Sequence, residues 1–182
     1  MEMAIRQIRE DNDPILRKKS KPVKEMTSRN LELIQDMIET MHDSDGVGLA
    51  AVQTGVLKRI AVVWVPDPYT DETPEEEIND LTHSFGEEIV MVNPVWEAVD
   101  DTVQTGTEGC LSVPGKYGTV TRPGHIILKA SDADMVPYEL EAMGLLARAI
   151  CHECDHLDGI LYTDKVEGEL MTNSLDEDGE EE

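Results

Sequence analysis

The feature that most constrains the fold of this chain is residues 144–159, which read GLLARAICHECDHLDG. They place His152 and His156 four positions apart, with Glu153 directly after the first histidine. Each residue of a helix turns by about 100°, so the two imidazoles share one face and can reach a single ion. This H-E-x-x-H pattern is typical of metal-dependent hydrolases, in which the glutamate acts as a base toward water.

The residues before the motif favour a metal site over a chance spacing of two histidines. Most of residues 145–151 are apolar, which indicates a helix that is buried on most sides. Burying two histidines and a glutamate in such a helix costs several kcal/mol unless they are paired or bound to a metal. A metal ion is therefore the simplest explanation, and chance occurrence of the motif is the alternative.

Residues 107–115, TEGCLSVPG, offer a third metal ligand. A catalytic site commonly combines three protein ligands with one open position. Of the three cysteines, Cys154 lies opposite the histidine face of the predicted helix and Cys151 lies well off it, which leaves Cys110 as the candidate thiolate. The alternative for Cys110 is the role of a small buried apolar residue, which is common for a free cysteine.

Residues 46–55, GVGLAAVQTG, combine small residues with one long polar side chain, that of Gln53. Glycine and alanine allow another backbone or a ligand to approach closely. A side-chain amide can donate a hydrogen bond to an oxygen that becomes negative during a reaction. The alternative is a glycine-rich turn in which Gln53 is merely exposed.

The rest of the chain shows a mixture of helical and strand patterns. The patterns predict an amphipathic helix from Thr27 or Ser28 to Gly46, strands at 59–65 and at 89–92 (the latter ended by Asn93 and Pro94), a hairpin of 124–130 with 135–140, and a last strand at 160–162. Residues 66–88 are polar and acidic, and we interpret them as a surface insertion.

Charge and composition limit the classes of partner. The chain carries 39 acidic and 15 basic residues, a formal net charge of −24, which disfavours direct binding to nucleic acid or to an anionic membrane. It contains no apolar run long enough to span a bilayer, and its first residues lack the pattern of a secretory signal. We therefore expect a cytoplasmic protein.

Three stretches, GVGLAAVQ at 46–53, EGCLS at 108–112 and HECDH at 152–156, occur in this order in peptide deformylases, and the chain closely resembles that family. The resemblance extends over about residues 5–166. It implies a single catalytic domain over residues 1–166, followed by an acidic, flexible tail over 167–182. It also implies an α+β fold in which antiparallel sheets pack around a central helix that carries the H-E-x-x-H motif.

The resemblance also implies an activity, which is removal of the N-formyl group from the initiator methionine of new bacterial or organellar polypeptides, with release of formate. The implied cofactor is one divalent metal ion, most often Fe²⁺, with Zn²⁺, Ni²⁺ or Co²⁺ found in isolated enzymes. The implied partners are the formylated ends of nascent chains, in transient proximity to the ribosome.

Matched residue by residue, the resemblance implies a role for each motif position. The metal ligands would be Cys110, His152 and His156. Glu153 would be the general acid and base, and the side chain of Gln53 and the backbone N–H of Leu111 would stabilise the oxyanion. An extended peptide could pair with residues 46–49 as an added strand, and a methionine side chain could enter an apolar pocket. The residues expected to bind substrate are Gly46, Val47, Gly48 and Leu145.

Two other functions share part of this pattern. A zinc endopeptidase also uses H-E-x-x-H but usually takes its third ligand from downstream of the motif. A non-catalytic protein of the same fold would need neither Glu153 nor Gln53. One departure from the family concerns stability toward oxidants: Cys151 and Cys154 flank the motif, where relatives usually carry residues without a thiol.

Overall fold

The computed structural model describes residues 4–67 and 85–172. Most of the predicted surface insertion and the end of the predicted tail therefore lie outside the described residues. None of the described helices is long and apolar enough to cross a membrane. The α-helices are α1 (Ser28–Asp43) and α2 (Gly144–Leu157). The described strands are β1 (Gly48–Ala50), β2 (Ile60–Trp64), β3 (Glu88–Ala98), β4 (Val103–Cys110), β5 (Val113–Pro123), β6 (His125–Ser131), β7 (Pro137–Met143) and β8 (Met171–Thr172).

Within residues 4–67 and 85–172, the strands form two antiparallel sheets. The larger sheet has five strands in the order β1-β2-β3-β6-β7, and the smaller has three in the order β4-β5-β8. The β6–β7 pairing confirms the predicted hairpin, in which His125 lies opposite Met143. At the other edge, β1 pairs with β2 alone among the described strands, with Gly48 opposite Val63. The α+β class predicted from the sequence is confirmed.

The five-stranded sheet is covered by a helix on each face, which explains why β2 is apolar throughout. Side chains of a strand alternate between the two faces. Ala61 and Val63 pack in the cluster that contains the apolar residues of α2, whereas Ile60 and Val62 pack in the cluster that contains those of α1. Helix α2 also contacts β5 and therefore lies between the two sheets. This position buries most of its surface, as the sequence predicted.

Helix α1 begins one residue after its N-cap, as the pattern predicted. The side chain of Thr27 accepts a hydrogen bond from the backbone N–H of Asn30, and the helix ends at Asp43, a turn before Gly46. The predicted end of a strand at Asn93 is wrong, because β3 continues through this position with a register shift between Val92 and Val95. The backbone of Asn93 adopts a φ of 53°, and its side chain exchanges two hydrogen bonds with the main chain of Val23. These bonds hold the irregularity within the strand.

The predicted last strand at 160–162 is also wrong. A short 3₁₀ helix, Tyr162–Asp164, follows α2 instead. The carboxylate of Asp164 accepts a hydrogen bond from Leu161 N, and the hydroxyl of Tyr162 donates to the backbone oxygen of Lys116. The region predicted as a tail begins in the described part of the chain, where β8 pairs with Lys116 and Tyr117 of β5. Its first residues are thus held against the smaller sheet.

Candidate metal centre

Two elements that are distant in sequence bring three donor residues together. His152 and His156 project from consecutive turns of α2, and Cys110 is the last residue of β4. The Cys110 sulfur lies 3.2 Å from His156 Nε2, which lies 3.2 Å from His152 Nε2. Among the described residues, these three form the one group of histidine, cysteine and carboxylate side chains arranged to hold a metal ion.

The donor set fits a tetrahedral ion. With bonds of about 2.0–2.3 Å, the donor atoms around such an ion lie roughly 3.3–3.7 Å apart, close to the separations seen here. Thiolate and imidazole donors suit iron and zinc, whereas magnesium and calcium prefer oxygen. Three protein donors also leave a fourth position for water or substrate, as catalytic sites require.

Glu108 orients the first histidine. Its Oε2 lies 2.9 Å from Nδ1 of His152, so the opposite nitrogen of the ring, Nε2, points to Cys110 and His156. A carboxylate behind a metal-binding histidine commonly fixes the ring and its tautomer in this way. Glu108 is only 5% exposed and lies two residues before Cys110 on β4. One strand therefore supplies both a donor and the group that positions another donor.

Two buried arginines hold Glu108. Arg122 donates to both carboxylate oxygens, each at 2.9 Å, and Arg148 donates to Oε1 at 2.7 Å. Arg122 also forms an ion pair with Asp155, which lies next to His156 on α2. Lys165 forms a second ion pair with Asp155, with 2.7 Å between Nζ and Oδ2. Burial alone would raise the pKa of Glu108, but the hydrogen bonds and charges of Arg122 and His152 hold it well below its usual range. Glu108 is therefore an anion behind the donor group.

The two histidines differ in their electrostatic surroundings. Burial acts to lower the pKa of His152, but its hydrogen bonds to Cys110 and Glu108 outweigh this effect and raise the pKa to about 10. Burial and the adjacent His152 hold the pKa of His156 well below its ordinary value. Both rings must be neutral at Nε2 to bind a metal, so binding of the ion at this site displaces a proton.

Glu153 lies beside the donor group without belonging to it. It is 4% exposed, and burial raises the pKa of its carboxyl group to about 7. Its Oε2 has no hydrogen-bond partner among the described residues. A Cβ atom on Gly48 would lie 2.4 Å from Glu153 Oε1, so glycine at that position allows β1 to approach the carboxyl group. A carboxyl group with a pKa near neutrality can both accept and return a proton.

Gln53 is buried and oriented, and so is not the exposed turn residue of the alternative interpretation. Only 1% of its surface is exposed. Its Oε1 accepts a hydrogen bond of 2.8 Å from the backbone of Ala50, which turns Nε2 toward Ser112 Oγ at 3.1 Å and Cys110 Sγ at 3.6 Å. The amide donor is thus fixed at the edge of the donor group.

A cavity of about 530 Å³ opens onto this arrangement. It lies between the edge of β1 and the hairpin of β4 and β5, and the N-terminal turns of α2 close one side. The sequence prediction placed ten residues in the site, and nine of them line this cavity: Gly46, Val47, Gly48, Gln53, Cys110, Leu111, Leu145, His152 and Glu153. The tenth, His156, contacts Cys110 behind the wall.

Sequence reasoning missed the arginines around Glu108. Arg122 lies on β5 outside any motif, and Arg148 interrupts the apolar stretch before the H-E-x-x-H motif, yet they are only 3% and 7% exposed. Cys151 and Cys154 face the core as a helical wheel predicts for residues off the histidine face. Burial raises the pKa of Cys151 to about 12 and that of Cys154 well above its usual range, which makes both thiols poor nucleophiles.

A cysteine and two histidines beside a buried carboxylate define the site of a metal-dependent hydrolase. Residues 5–170 match the family model described as polypeptide deformylase, and the chain belongs to that family. It is 49% identical over 180 residues to a peptide deformylase of Lachnoclostridium phytofermentans, an alignment that covers 98% of this chain and 100% of that protein.

Solved structures show the same fold. A peptide deformylase from Ehrlichia chaffeensis superposes with a TM-score of 0.80 at 34% identity, covering 90% of this chain and 89% of that one. A class I type b peptide deformylase from Acinetobacter baumannii, crystallised with Met-Ala-Ser bound, gives a TM-score of 0.75 at 30% identity and covers 91% of this chain and 100% of that one. The likeness thus extends over nearly all of the described residues.

Proposed function

We propose that this chain removes the formyl group from N-formylmethionyl peptides by metal-dependent hydrolysis and releases formate. Membership of the family supports the reaction. One observation supports assigning the reaction to particular residues: Cys110, His152 and His156 converge beside the buried carboxyl group of Glu153. The proposed substrates are the ends of nascent chains, so we place the activity in the cytoplasm and near the ribosome.

The proposed ligands are Cys110, His152 and His156, and the proposed ion is Fe²⁺. The preference for iron rests on the family, because the donor set also suits Zn²⁺. When bound, the ion supplies a Lewis acid for the formyl carbonyl and a nucleophile at neutral pH. Glu108 holds the ring of His152 in the tautomer that leaves Nε2 free to bind.

Glu153 is the proposed general base and acid. With a pKa of about 7, its carboxyl group accepts the proton of the attacking water and returns it to the leaving amine. The amide of Gln53 and the backbone N–H of Leu111 are the proposed donors to the oxyanion. Leu111 lies in the turn between β4 and β5, next to Cys110, and each such donor is worth about 3 kcal/mol in other enzymes.

The substrate is proposed to bind as an added strand. Among the described residues no strand pairs with the outer edge of β1, which includes Gly48 and borders the cavity, so an extended peptide can pair with it. Val47 and Leu145 are partly exposed at the cavity and would contact the methionine side chain. A peptide of the sequence Met-Ala-Ser is bound in the Acinetobacter baumannii relative, which supports a cavity of this kind for a peptide.

The proposal is tested with protein loaded with Fe²⁺ under anaerobic conditions and with formyl-Met-Ala-Ser as substrate. Formate and the free amine are measured together with the metal content of the protein. We expect Cys110→Ala to lose bound metal and formate release. Cys151→Ala is the matched control, since it removes a thiol next to His152 that does not face the donor group. Absence of formate release by the loaded wild-type protein would refute the proposed function.

Glu153→Gln separates catalysis from metal binding. We expect this variant to keep its metal while turnover falls by a factor of about 100 or more, because a general base commonly contributes that much. Glu32→Gln on the exposed side of α1 controls for the loss of a single negative charge. Retained turnover in Glu153→Gln would remove Glu153 from the mechanism.

A further inference from the structure

The two proposed donors to the oxyanion belong to separate parts of the chain. Gln53 lies in a short 3₁₀ helix, Ala51–Thr54, that follows β1, whereas Leu111 lies in the turn between β4 and β5. Two donors stabilise one oxyanion when each lies about 2.7–3.1 Å from it. A contact between these two segments is therefore needed to fix the distance between the donors.

The side chain of Ser112 makes such a contact. Its hydroxyl oxygen lies 3.1 Å from Nε2 of Gln53. Ser112 directly follows Leu111 in the turn, so the residue that bonds to one donor is the neighbour in the chain of the other. Ser112 is fully buried, and it is not among the residues that line the cavity, whereas Gln53 and Leu111 are. Its hydroxyl can therefore affect a substrate in the cavity only through these neighbours.

The direction of this hydrogen bond follows from the other end of the amide group. The backbone N–H of Ala50 can only donate, so the atom that it meets at 2.8 Å is Oε1 of Gln53. The remaining group is NH₂, and the hydroxyl of Ser112 accepts one of its two hydrogens. The second hydrogen is left for the sulfur of Cys110, which lies 3.6 Å from Nε2 and is a weak acceptor. A developing oxyanion beside Cys110 is a stronger acceptor, so this second hydrogen is the one available to it.

We propose that Ser112 is a positioning residue of the deformylase reaction. Its hydroxyl ties the amide of Gln53 to the turn that carries the backbone N–H of Leu111, and it thereby sets the separation of the two oxyanion donors. This inference rests on the proposed function. Without the hydroxyl, the bond from Ala50 still holds Oε1 of Gln53, but the amide plane can turn about that bond and the second hydrogen loses its fixed direction.

The first test compares kcat and KM of Ser112→Ala with those of the wild-type enzyme, both loaded with iron and supplied with formyl-Met-Ala-Ser. We expect kcat to fall about tenfold, because a small misplacement of a catalytic group has effects of this order. KM and metal content should stay within about twofold, since the donor acts in the transition state. If Ser112→Ala does not fold, Ser112→Gly replaces it, because it also removes the hydroxyl and adds no volume at a buried position.

A double-mutant cycle with Gln53→Ala separates positioning from a general loss of structure. Because the hydroxyl acts through the amide, Ser112→Ala should have no further effect once the amide is absent, and the double variant should turn over at the rate of Gln53→Ala. A contribution that does not pass through Gln53 would instead lower kcat by the same factor in both backgrounds. That result would overturn the positioning role.

A second measurement does not depend on turnover. The side-chain NH₂ of Gln53 gives a pair of signals in the nitrogen–proton NMR spectrum of the Zn²⁺-loaded protein, and their loss in Gln53→Ala identifies them. Ser112→Ala should shift this pair toward the values of a solvent-exposed amide. Thr40→Val is the matched control, because it removes a buried hydroxyl that donates to the backbone of Asp36 and is not part of the cavity wall. It should leave the signals and kcat unchanged.

Failure of this inference and failure of the proposed function are distinguishable. Signals of Gln53 that stay in place in Ser112→Ala would overturn the positioning role whether or not the enzyme turns over. Failure of the iron-loaded wild-type enzyme to release formate would instead refute the proposed function itself.

Discussion

Replacing Glu108 with glutamine tests whether the buried charge network holds the donor group in place. The change keeps the size of the side chain and removes its charge. In the wild-type protein the carboxylate accepts bonds from Arg122, Arg148 and His152 at 2.7–2.9 Å. Glutamine has one acceptor oxygen and would turn its own NH₂ group toward a donor. Arg122 would retain Asp155 as a partner, but Arg148 would lose its carboxylate.

The expected loss of stability is large. Removing one partner of a buried ion pair typically costs about 3–5 kcal/mol because it leaves a buried charge without compensation. Each buried donor without an acceptor costs about 1–3 kcal/mol, which gives a similar total for one or two of the four bonds to Glu108. For a chain of this size, 1 kcal/mol lowers the melting temperature by roughly 2–4 °C. We therefore expect Glu108→Gln to melt at least about 6 °C below the wild-type protein.

Thermal unfolding followed by circular dichroism measures the effect, with and without bound metal. Glu141→Gln is the matched control, because Glu141 is an exposed acid on β7 and surface pairs contribute little. The metal-free comparison isolates the network, and the metal content of the variant shows whether His152 is still positioned. A loss below about 1 kcal/mol in the metal-free protein would refute the reasoning, since it would mean that the buried charges are compensated without Glu108.

Three further predictions concern single groups. Gly48→Ala should push the carboxyl group of Glu153 aside, because the added Cβ atom would meet Oε1 at 2.4 Å; turnover should fall about tenfold or more while metal content, measured by atomic absorption, is retained. Iodoacetamide should label Cys110 but not Cys151 or Cys154 in native metal-free protein, because burial raises the pKa of the latter two thiols. Mass spectrometry of the three cysteines measures the labelling. Stability should fall as the pH drops below about 4.5: the pKa of Glu108 is lower in the folded than in the unfolded state, so unfolding takes up protons, and acid titration of Glu108→Gln should show a smaller loss.

The sequence predicted the elements whose signals are local. The helical period and the Thr27 cap predicted α1, the continuous apolar run predicted β2, and the turn between two alternating runs predicted the β6–β7 hairpin. The irregularity at Asn93 could not be predicted in this way, because it is held by two hydrogen bonds between the Asn93 side chain and the main chain of the distant Val23. Long-range bonds of this kind leave no signature in the neighbouring residues.

The residues of the site show the same difference between local signals, which the sequence reveals, and long-range contacts, which it does not. Motif spacing on one helix placed His152 and His156 together, and exclusion of the other cysteines left Cys110 as the candidate donor. The burial of Gln53 depends on the backbone N–H of Ala50, which bonds to its Oε1, and on the hydroxyl of the distant Ser112, which accepts from its Nε2. The glycine-rich stretch alone therefore could not decide between a buried and an exposed side chain. The family resemblance supplied the roles, and the packing of β1 against α2 supplied the geometry.

The role of Glu108 was nonetheless available from the sequence by one further step. Residues two apart on a strand share a face, so once Cys110 is assigned to the histidines, Glu108 must point toward the same helix. A carboxylate buried there requires cations, and residues 119–148 contain Arg122 and Arg148 together with only one lysine. An arginine within the apolar run before H-E-x-x-H is then expected to serve this carboxylate, and the structure places Arg148 against it. A charged residue within an otherwise apolar stretch therefore predicts that a buried residue of opposite charge lies next to it.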